Sequence, residues 1–261
     1  MTAFIDLFSG IGGFALAAYW SGLRFDKHYF SEVDDYAIKL YQKRFPDAIP
    51  LGDIKNVDYS KLPKGEYLVT GGFPCQPNSN RVRKRRNKDE RDLWSECFRM
   101  LCELRPRIAV FENVRGLLTV PGEKLKGEVF NRILSDIHRG GYDAEWQIIS
   151  ANQIGAPHKR ERLWIVTYPS CKRLPAFNIF NNTNKKENIE SSRDWSKLFS
   201  ITAGAYKMEN WEAHEQILTG TYDGLPEELD AIKGAGNAIV PQCAELIFNL
   251  PAFDYWRKIN E

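Results

Sequence analysis

Short apolar runs recur through the first two thirds of the chain, at Phe4 to Phe8, Tyr29 to Phe30, Tyr67 to Thr70, Ile108 to Phe111, Trp146 to Ile149 and Leu163 to Tyr168. Amphipathic or polar stretches of helical character separate them. Runs this short read as buried strands, and their alternation with helices predicts an α/β domain, Rossmann-like, on a mostly parallel sheet. Ligands of such sheets bind at the carboxyl ends of the strands. The glycine turns at Ser9 to Gly13 and Gly71 to Gly72 fall there, so two candidate sites share one face. From Pro169 to about Gly220 the texture changes: asparagines stand among lysines and apolar runs thin out. That composition fits a small irregular unit or a partly disordered insertion. Beyond it, Gly236 to Leu250 predicts a turn and then an amphipathic helix starting near Pro241, a residue accepted in a first turn, which packs back on the sheet.

With 261 residues the chain suits one domain, or one domain with a small appendage. A net charge of +2 means that a polyanionic partner must be met by a local basic patch. Cys75, Cys97, Cys102, Cys171 and Cys243 are odd in number and form no Cys-x-x-Cys pair, which argues against a disulfide framework and a structural zinc site. A reducing cytoplasm is the expected setting. Asp6 interrupts the first apolar run and no stretch is long enough to span a bilayer, so a soluble protein with no metal and no membrane contact is expected.

The segment Asp6-Leu7-Phe8-Ser9-Gly10-Ile11-Gly12-Gly13 runs from a strand through a glycine turn into a helix, and Glu32 follows about twenty residues later at the end of the next strand. Glycines let a backbone approach an adenosine-type cofactor, and a carboxylate at the second strand end accepts protons from both ribose hydroxyls. The looser dinucleotide fingerprint is satisfied too, so a nicotinamide-dependent oxidoreductase stays open. Gly52-Asp53-Ile54 offers a second carboxylate near the same edge, although a Gly-Asp pair is also a common turn.

Gly71-Gly72-Phe73-Pro74-Cys75-Gln76-Pro77 follows the Tyr67 to Thr70 run. Two prolines fix φ on either side of Cys75, so the turn aims the thiol instead of packing it. Glu112 ends the Ile108 to Phe111 run on the same edge, where desolvation would keep its carboxyl protonated and fit to act as an acid toward a heterocycle nitrogen. An ion pair with a nearby arginine is the simpler alternative. Arg160 and Arg162 stand two apart at the mouth of a strand, so they point the same way while Glu161 points opposite. Two co-facing guanidiniums suit a carbonyl, a carboxylate or a phosphate. Arg81, Arg83, Lys84, Arg85, Arg86 and Lys88 put six basic residues into eight positions directly after the cysteine turn, in reach of a polyanion bound there.

Taken in order, these segments resemble the cytosine-5 DNA methyltransferases, most closely the compact bacterial or phage type. The carriers are the Asp6 to Gly13 turn, Glu32, Gly52-Asp53, Pro74-Cys75-Gln76, Asp89 to Trp94, Glu112-Asn113-Val114, Arg160-Glu161-Arg162 and Gly236-Asn237-Ala238. The resemblance spans nearly all of residues 1 to 168 and resumes near Asp223. It implies S-adenosylmethionine held by Phe8, Ser9, Gly10, Ile11, Gly12, Gly13, Glu32, Val33, Asp53, Ile54, Pro74, Leu93, Asn237 and Ala238. It further implies Cys75 as the nucleophile toward C6 of a flipped-out cytosine, Glu112 at N3 and Arg162 at the carbonyl, with Arg160 orienting it. Double-stranded DNA would be gripped through Gln76, Ser79, Arg81, Arg83, Lys84, Arg85, Arg86 and Lys88. A cognate restriction endonuclease and a place beside the bacterial nucleoid belong to the same expectation. The implied organisation is a catalytic domain at 1–168, a small target-recognition region at 169–222 and a returning segment at 223–261. His158 replaces a glutamine common in relatives, Asn78 replaces a frequent phenylalanine, and the usual motif before the last segment is not recognisable. A DNA-binding relative without catalysis and a tRNA-methylating relative therefore stay open beside the main expectation.

Overall fold

In the computed structural model, residues 1–74, 93–119, 127–154, 156, 159–171 and 239–257 are described. Their strands form one sheet of seven, in the spatial order β3-β2-β1-β4-β5-β7-β6. These are β1 (Thr2–Leu7), β2 (Lys27–Ser31), β3 (Ile49–Pro50), β4 (Glu66–Gly71), β5 (Ile108–Val114), β6 (Tyr142–Ser150) and β7 (Glu161–Pro169). The pairings among β3, β2, β1, β4 and β5 are parallel, whereas β7 runs antiparallel to both β5 and β6. Each predicted run lies in or overlaps a strand. The antiparallel pair at one edge is the feature that the apolar runs leave undetermined.

Parallel neighbours need crossovers, and these are made by α1 (Gly13–Trp20), α2 (Asp35–Arg44) and α3 (Trp94–Leu104), with α4 (Glu128–Arg139) preceding β6. Near the end of the chain come α5 (Pro241–Phe248), starting at the predicted proline, and the short α6 (Asp254–Arg257). Side chains alternate across the sheet, so each strand feeds two cores. Phe4, Phe30, Leu68, Val110 and Trp164 pack on α1, α2 and α5, while Ile5, Val69, Phe111 and Ile165 pack on α3 and α4. Each large side chain fully buried this way contributes about 1.5–3 kcal/mol.

The alternation also puts polar residues on one chosen face. Asp6 stands beside Thr70 in the β1–β4 register, and Thr70 beside Val110 in the β4–β5 register. Glu112 lies two residues past Val110 and so projects from that face, the one covered by α1, α2 and α5. α5 closes on α1, and Gly13 is there because nothing larger fits: a Cβ would sit 2.6 Å from Ile239 Cγ1 and 3.1 Å from its carbonyl oxygen. Ile239, just before α5, thus lies against the glycine turn itself. Among the described residues, no helix is long and apolar enough to cross a membrane.

Candidate active site

The turn after β1 is built from unusual backbone. Phe8 (φ 51°), Gly10 (φ 50°) and Gly12 (φ 89°) are all left-handed. For the non-glycine Phe8 this costs about 1–2 kcal/mol, the kind of strain that persists where the surroundings fix it. The surroundings are one carboxylate and the end of β2. Glu32, directly after β2, accepts from the Gly10 N–H at 2.8 Å through Oε2, and from the N–H groups of Val33 (2.8 Å) and Asp34 (3.1 Å) through Oε1. Ser9 N–H donates to the carbonyl of Ser31 at 3.1 Å, joining the turn to β2.

The turn fits an adenosine-type cofactor on two observations. A Cβ on Gly10 would meet nothing within 4 Å, so this glycine borders open space, unlike Gly12 and Gly13, whose neighbours leave no room. Val33, an apolar side chain beside the Glu32 carboxylate, is 69 % exposed. At the neighbouring edge, the Ser31 hydroxyl donates to the carbonyl of Gly52 at 2.6 Å, and Asp53 caps the following turn by accepting from Lys55 N–H at 3.0 Å. Asp53 therefore has the capping role common for a Gly-Asp pair. Ile54 is buried, Ile11 is buried, Leu93 starts α3 and Pro74 is exposed.

The second half of the site lies at the ends of β5 and β7. Glu112 is buried, and its Oε1 lies 3.0 Å from Nε of Arg162. Burial pushes the Glu112 carboxyl up from its ordinary range, while Arg162 and then Arg160 pull it back. Burial also pulls the Arg160 guanidinium down, Arg162 adds to that by repulsion, and Glu112 opposes it. The co-facing arginines are thus found, both acting on Glu112. Glu161 points elsewhere and pairs with Arg115 at 2.6 Å. Glu112 is thus held in an ion pair with Arg162 while burial acts against its charge.

The sequence reading gave Asn113 no role, and the structure does. Its Nδ2 donates to the carbonyl of Phe73 at 2.9 Å, and its Oδ1 accepts from Val114 N–H at 2.8 Å. The residue after Glu112 therefore ties β5 to the segment that leads to Cys75. Phe73 is fixed from its other side by the rings of Trp94 and Phe111. Gly72 lies against both halves: a Cβ there would be 3.7 Å from Glu112 Oε2 and 3.9 Å from Ile239 Cγ2. Cys243 on α5 is buried behind the arginines, its thiol pushed up to about 12 chiefly by burial. Cys75, Gln76, Asn78, Ser79, Arg81, Arg83, Lys84, Arg85, Arg86, Lys88, His158, Asn237 and Ala238 lie outside the described residues.

A sheet of this order, with a glycine turn after its first strand and an acid after its second, is a Rossmann-like α/β fold. The family comparison agrees: the sequence model of the C-5 cytosine-specific DNA methylases matches residues 2–223. Among curated relatives, a type II methyltransferase of Lactococcus lactis subsp. cremoris is 32% identical over 254 residues, 96% of this chain and 61% of the relative. A type II methyltransferase of Bacillus subtilis is 34% identical over 233 residues, covering 87% of this chain and 52% of the relative. The chain thus spans little more than half the length of these relatives. Among solved structures, a Dnmt2 methyltransferase of S. pombe superposes with a TM-score of 0.60 at 17% identity, over 94% of this chain and 97% of that one, which bears on the fold. A prophage-encoded DNA modification methyltransferase from E. coli gives 0.53 at 28% identity, over 69% and 50%. The chain belongs to the C-5 cytosine-specific DNA methylase family, whose cofactor is S-adenosylmethionine.

Proposed function

We propose that this chain is a DNA (cytosine-5)-methyltransferase acting on a cytosine flipped out of duplex DNA. The observation that carries the reading is Glu112, buried, 3.0 Å from Arg162, and joined through Asn113 to the segment that leads into the Pro74-Cys75 turn. Phe8 to Gly13, Glu32, Val33, Asp53, Ile54, Pro74, Leu93, Asn237 and Ala238 would hold S-adenosylmethionine, which would supply an electrophilic methyl group.

Cys75 Sγ adds to C6 of the base, and the electron pair of the C5–C6 double bond becomes available at C5. Glu112 holds or protonates N3 and relieves the charge that the thiolate brings to the ring; a carboxyl already biased toward its protonated form suits that task. Arg162 contacts the base carbonyl, and Arg160 keeps Arg162 and Glu112 in register. Once C5 carries the methyl group, loss of the C5 proton returns its electron pair to the ring and expels Cys75 as the thiolate. Arginines and a basic segment near the thiol favour the thiolate that starts the sequence.

Flipping costs a few kcal/mol, which contacts from Gln76, Ser79, Arg81, Arg83, Lys84, Arg85, Arg86 and Lys88 to the DNA offset. Residues 169–222 form the target-recognition region between a catalytic domain at 1–168 and a returning segment at 223–261. The type II relatives favour a restriction-modification setting with a cognate endonuclease, in the cytoplasm of a bacterium or encoded by a phage. The test is transfer of labelled methyl groups to cytosine in duplex DNA. Cys75→Ala abolishes transfer and covalent trapping on 5-fluorocytosine DNA, and Glu112→Gln slows transfer about 10²-fold or more with cofactor affinity kept. Full transfer by Cys75→Ala refutes the mechanism.

A further inference from the structure

Arg99, midway along α3, lies outside every motif on which the family resemblance rests, yet it makes four hydrogen bonds. Its Nη2 donates to the carbonyl of Ile54 at 2.7 Å and its Nη1 to the carbonyl of Val57 at 2.9 Å. Its Nε donates to Glu96 Oε2 at 2.8 Å, and Nη1 also donates to Glu103 Oε2 at 3.1 Å, so carboxylates one turn away on either side aim the guanidinium. The group lies over the buried ring of Tyr59, 5.1 Å from its centroid. Ion pairs as exposed as these add little stability by themselves. Here they orient a planar fork whose two terminal nitrogens meet carbonyls 45 and 42 residues earlier in the chain.

Those carbonyls close the turn that Asp53 opens. Ile54–Asn56 is a single 3-10 turn: Asp53 accepts from Lys55 N–H at 3.0 Å at its start, and Val57 N–H donates to the Ile54 carbonyl at 3.3 Å at its end. The last carbonyls of so short a turn have few backbone donors, and a guanidinium that reaches them from another element acts as a C-terminal cap. The turn is therefore held at both ends, by its own carboxylate and by α3. Among the described residues Asp53 accepts only through Oδ1, which leaves Oδ2 to accept an N–H from a ligand. The helix that carries Arg99 is anchored as well. Trp94, its first residue, packs on Phe73 of the segment that leads to Cys75, and Trp94 Nε1 donates to Asp136 Oδ2 at 3.1 Å.

We propose that Arg99 is a positioning residue for the adenine end of the cofactor: it fixes the Ile54–Val57 turn so that Asp53 keeps one oxygen for the amino group of the ring. The proposal rests on the reading of this turn as part of the S-adenosylmethionine site. An ionised carboxylate only accepts, so it suits an exocyclic amino group and has nothing to bond on a purine that lacks one. A site built to bond an N–H discriminates against the analogue without it. That discrimination reports where Asp53 stands, whereas total affinity also reports the rest of the pocket.

Titration calorimetry of S-adenosylhomocysteine and of its 6-deamino analogue, whose purine lacks the amino group, tests the role. The proteins are wild type, Arg99→Met, Arg99→Lys, Asp53→Ala, Arg99→Met combined with Asp53→Ala, and Leu101→Ala, a control that opens a cavity on the buried face of the same helix. Wild type is expected to prefer the adenine compound about tenfold, and Asp53→Ala to lose that preference. Arg99→Met should narrow it about fivefold, and should change it no further once residue 53 is alanine. Arg99→Lys keeps the charge but has one nitrogen where two reach the carbonyls; it should narrow the preference about threefold, and it decides the matter if Arg99→Met does not fold. Leu101→Ala, though less stable, should keep the wild-type preference. An unchanged preference in the Arg99 variants, including equal weakening of both ligands, overturns the proposal. So does a shift of preference caused by Arg99→Met in the Asp53→Ala background, or a narrowing in Leu101→Ala. A wild type without preference, or a preference that survives Asp53→Ala, overturns the reading of the turn as the adenine end, an outcome distinct from those.

Discussion

Asp6 and His28 show how the environment of single residues decides their charge. Burial pushes Asp6 up to about 8, although Thr70 and Tyr41 both donate to it, and Glu32 adds repulsion. Burial pulls His28 down to about 4. A carboxyl raised in the folded chain stabilises the fold fully below its ordinary 3.8 and loses that contribution as pH rises through about 8. A lowered imidazole contributes above its ordinary 6.5 and loses the contribution as pH falls toward about 4. Between about pH 4 and 6.5 the two contributions oppose each other, so urea unfolding should show stability level there and declining from about 6.5 to about 8, and Asp6→Asn should remove that decline and uncover the acid limb of His28. A wild-type alkaline limb in Asp6→Asn would assign that decline to other groups. None of this was legible in the chain: Asp6 stood in a recognisable motif, but Tyr41 and His28 carry no motif and meet it only through packing.

At the scale of elements, the glycines of one turn have different reasons to be there. Gly10 meets open space, so Gly10→Ala has only its backbone conformation to strain, about 1–2 kcal/mol, and is expected to leave the fold intact while weakening S-adenosylmethionine binding. Gly13 meets Ile239, so Gly13→Ala forces the segment before α5 away from α1 and should cost about 1–3 kcal/mol of stability. Thermal unfolding and cofactor titration on both variants separate the two, and equal effects would mean that the turn acts as one unit. The same scale shows what periodicity reads well. β1, β4, β5 and β7 were visible because they are buried and apolar, whereas β3 has only the two residues Ile49 and Pro50, and its strand state depends on β2 lying alongside. The link from Asn113 to Phe73 joins residues forty apart, and no local pattern announces it.

For the whole molecule, a net charge of +2 means that the proposed attraction to DNA rests on the local concentration of Arg81, Arg83, Lys84, Arg85, Arg86 and Lys88. Affinity for duplex DNA should fall steeply with salt, since each phosphate neutralised releases about 0.9 of a counterion. Replacing Arg83, Arg85 and Arg86 with glutamine should lower the slope of log affinity against log salt by about two to three, with S-adenosylmethionine affinity unchanged. An unaltered slope would place the phosphate contacts elsewhere on the chain. The sequence by itself determined the alternation of strands and helices, the glycine turn with its acid, and the ordered motifs that mark the family, because each is written in adjacent residues or in a fixed spacing. Only the tertiary structure decided that β7 runs against β5, that Arg162 sits on Glu112, that Ile239 closes on Gly13 and that Thr70 and Tyr41 meet Asp6. Those contacts join residues far apart in the chain, and they exist only once burial has brought the strands and helices together.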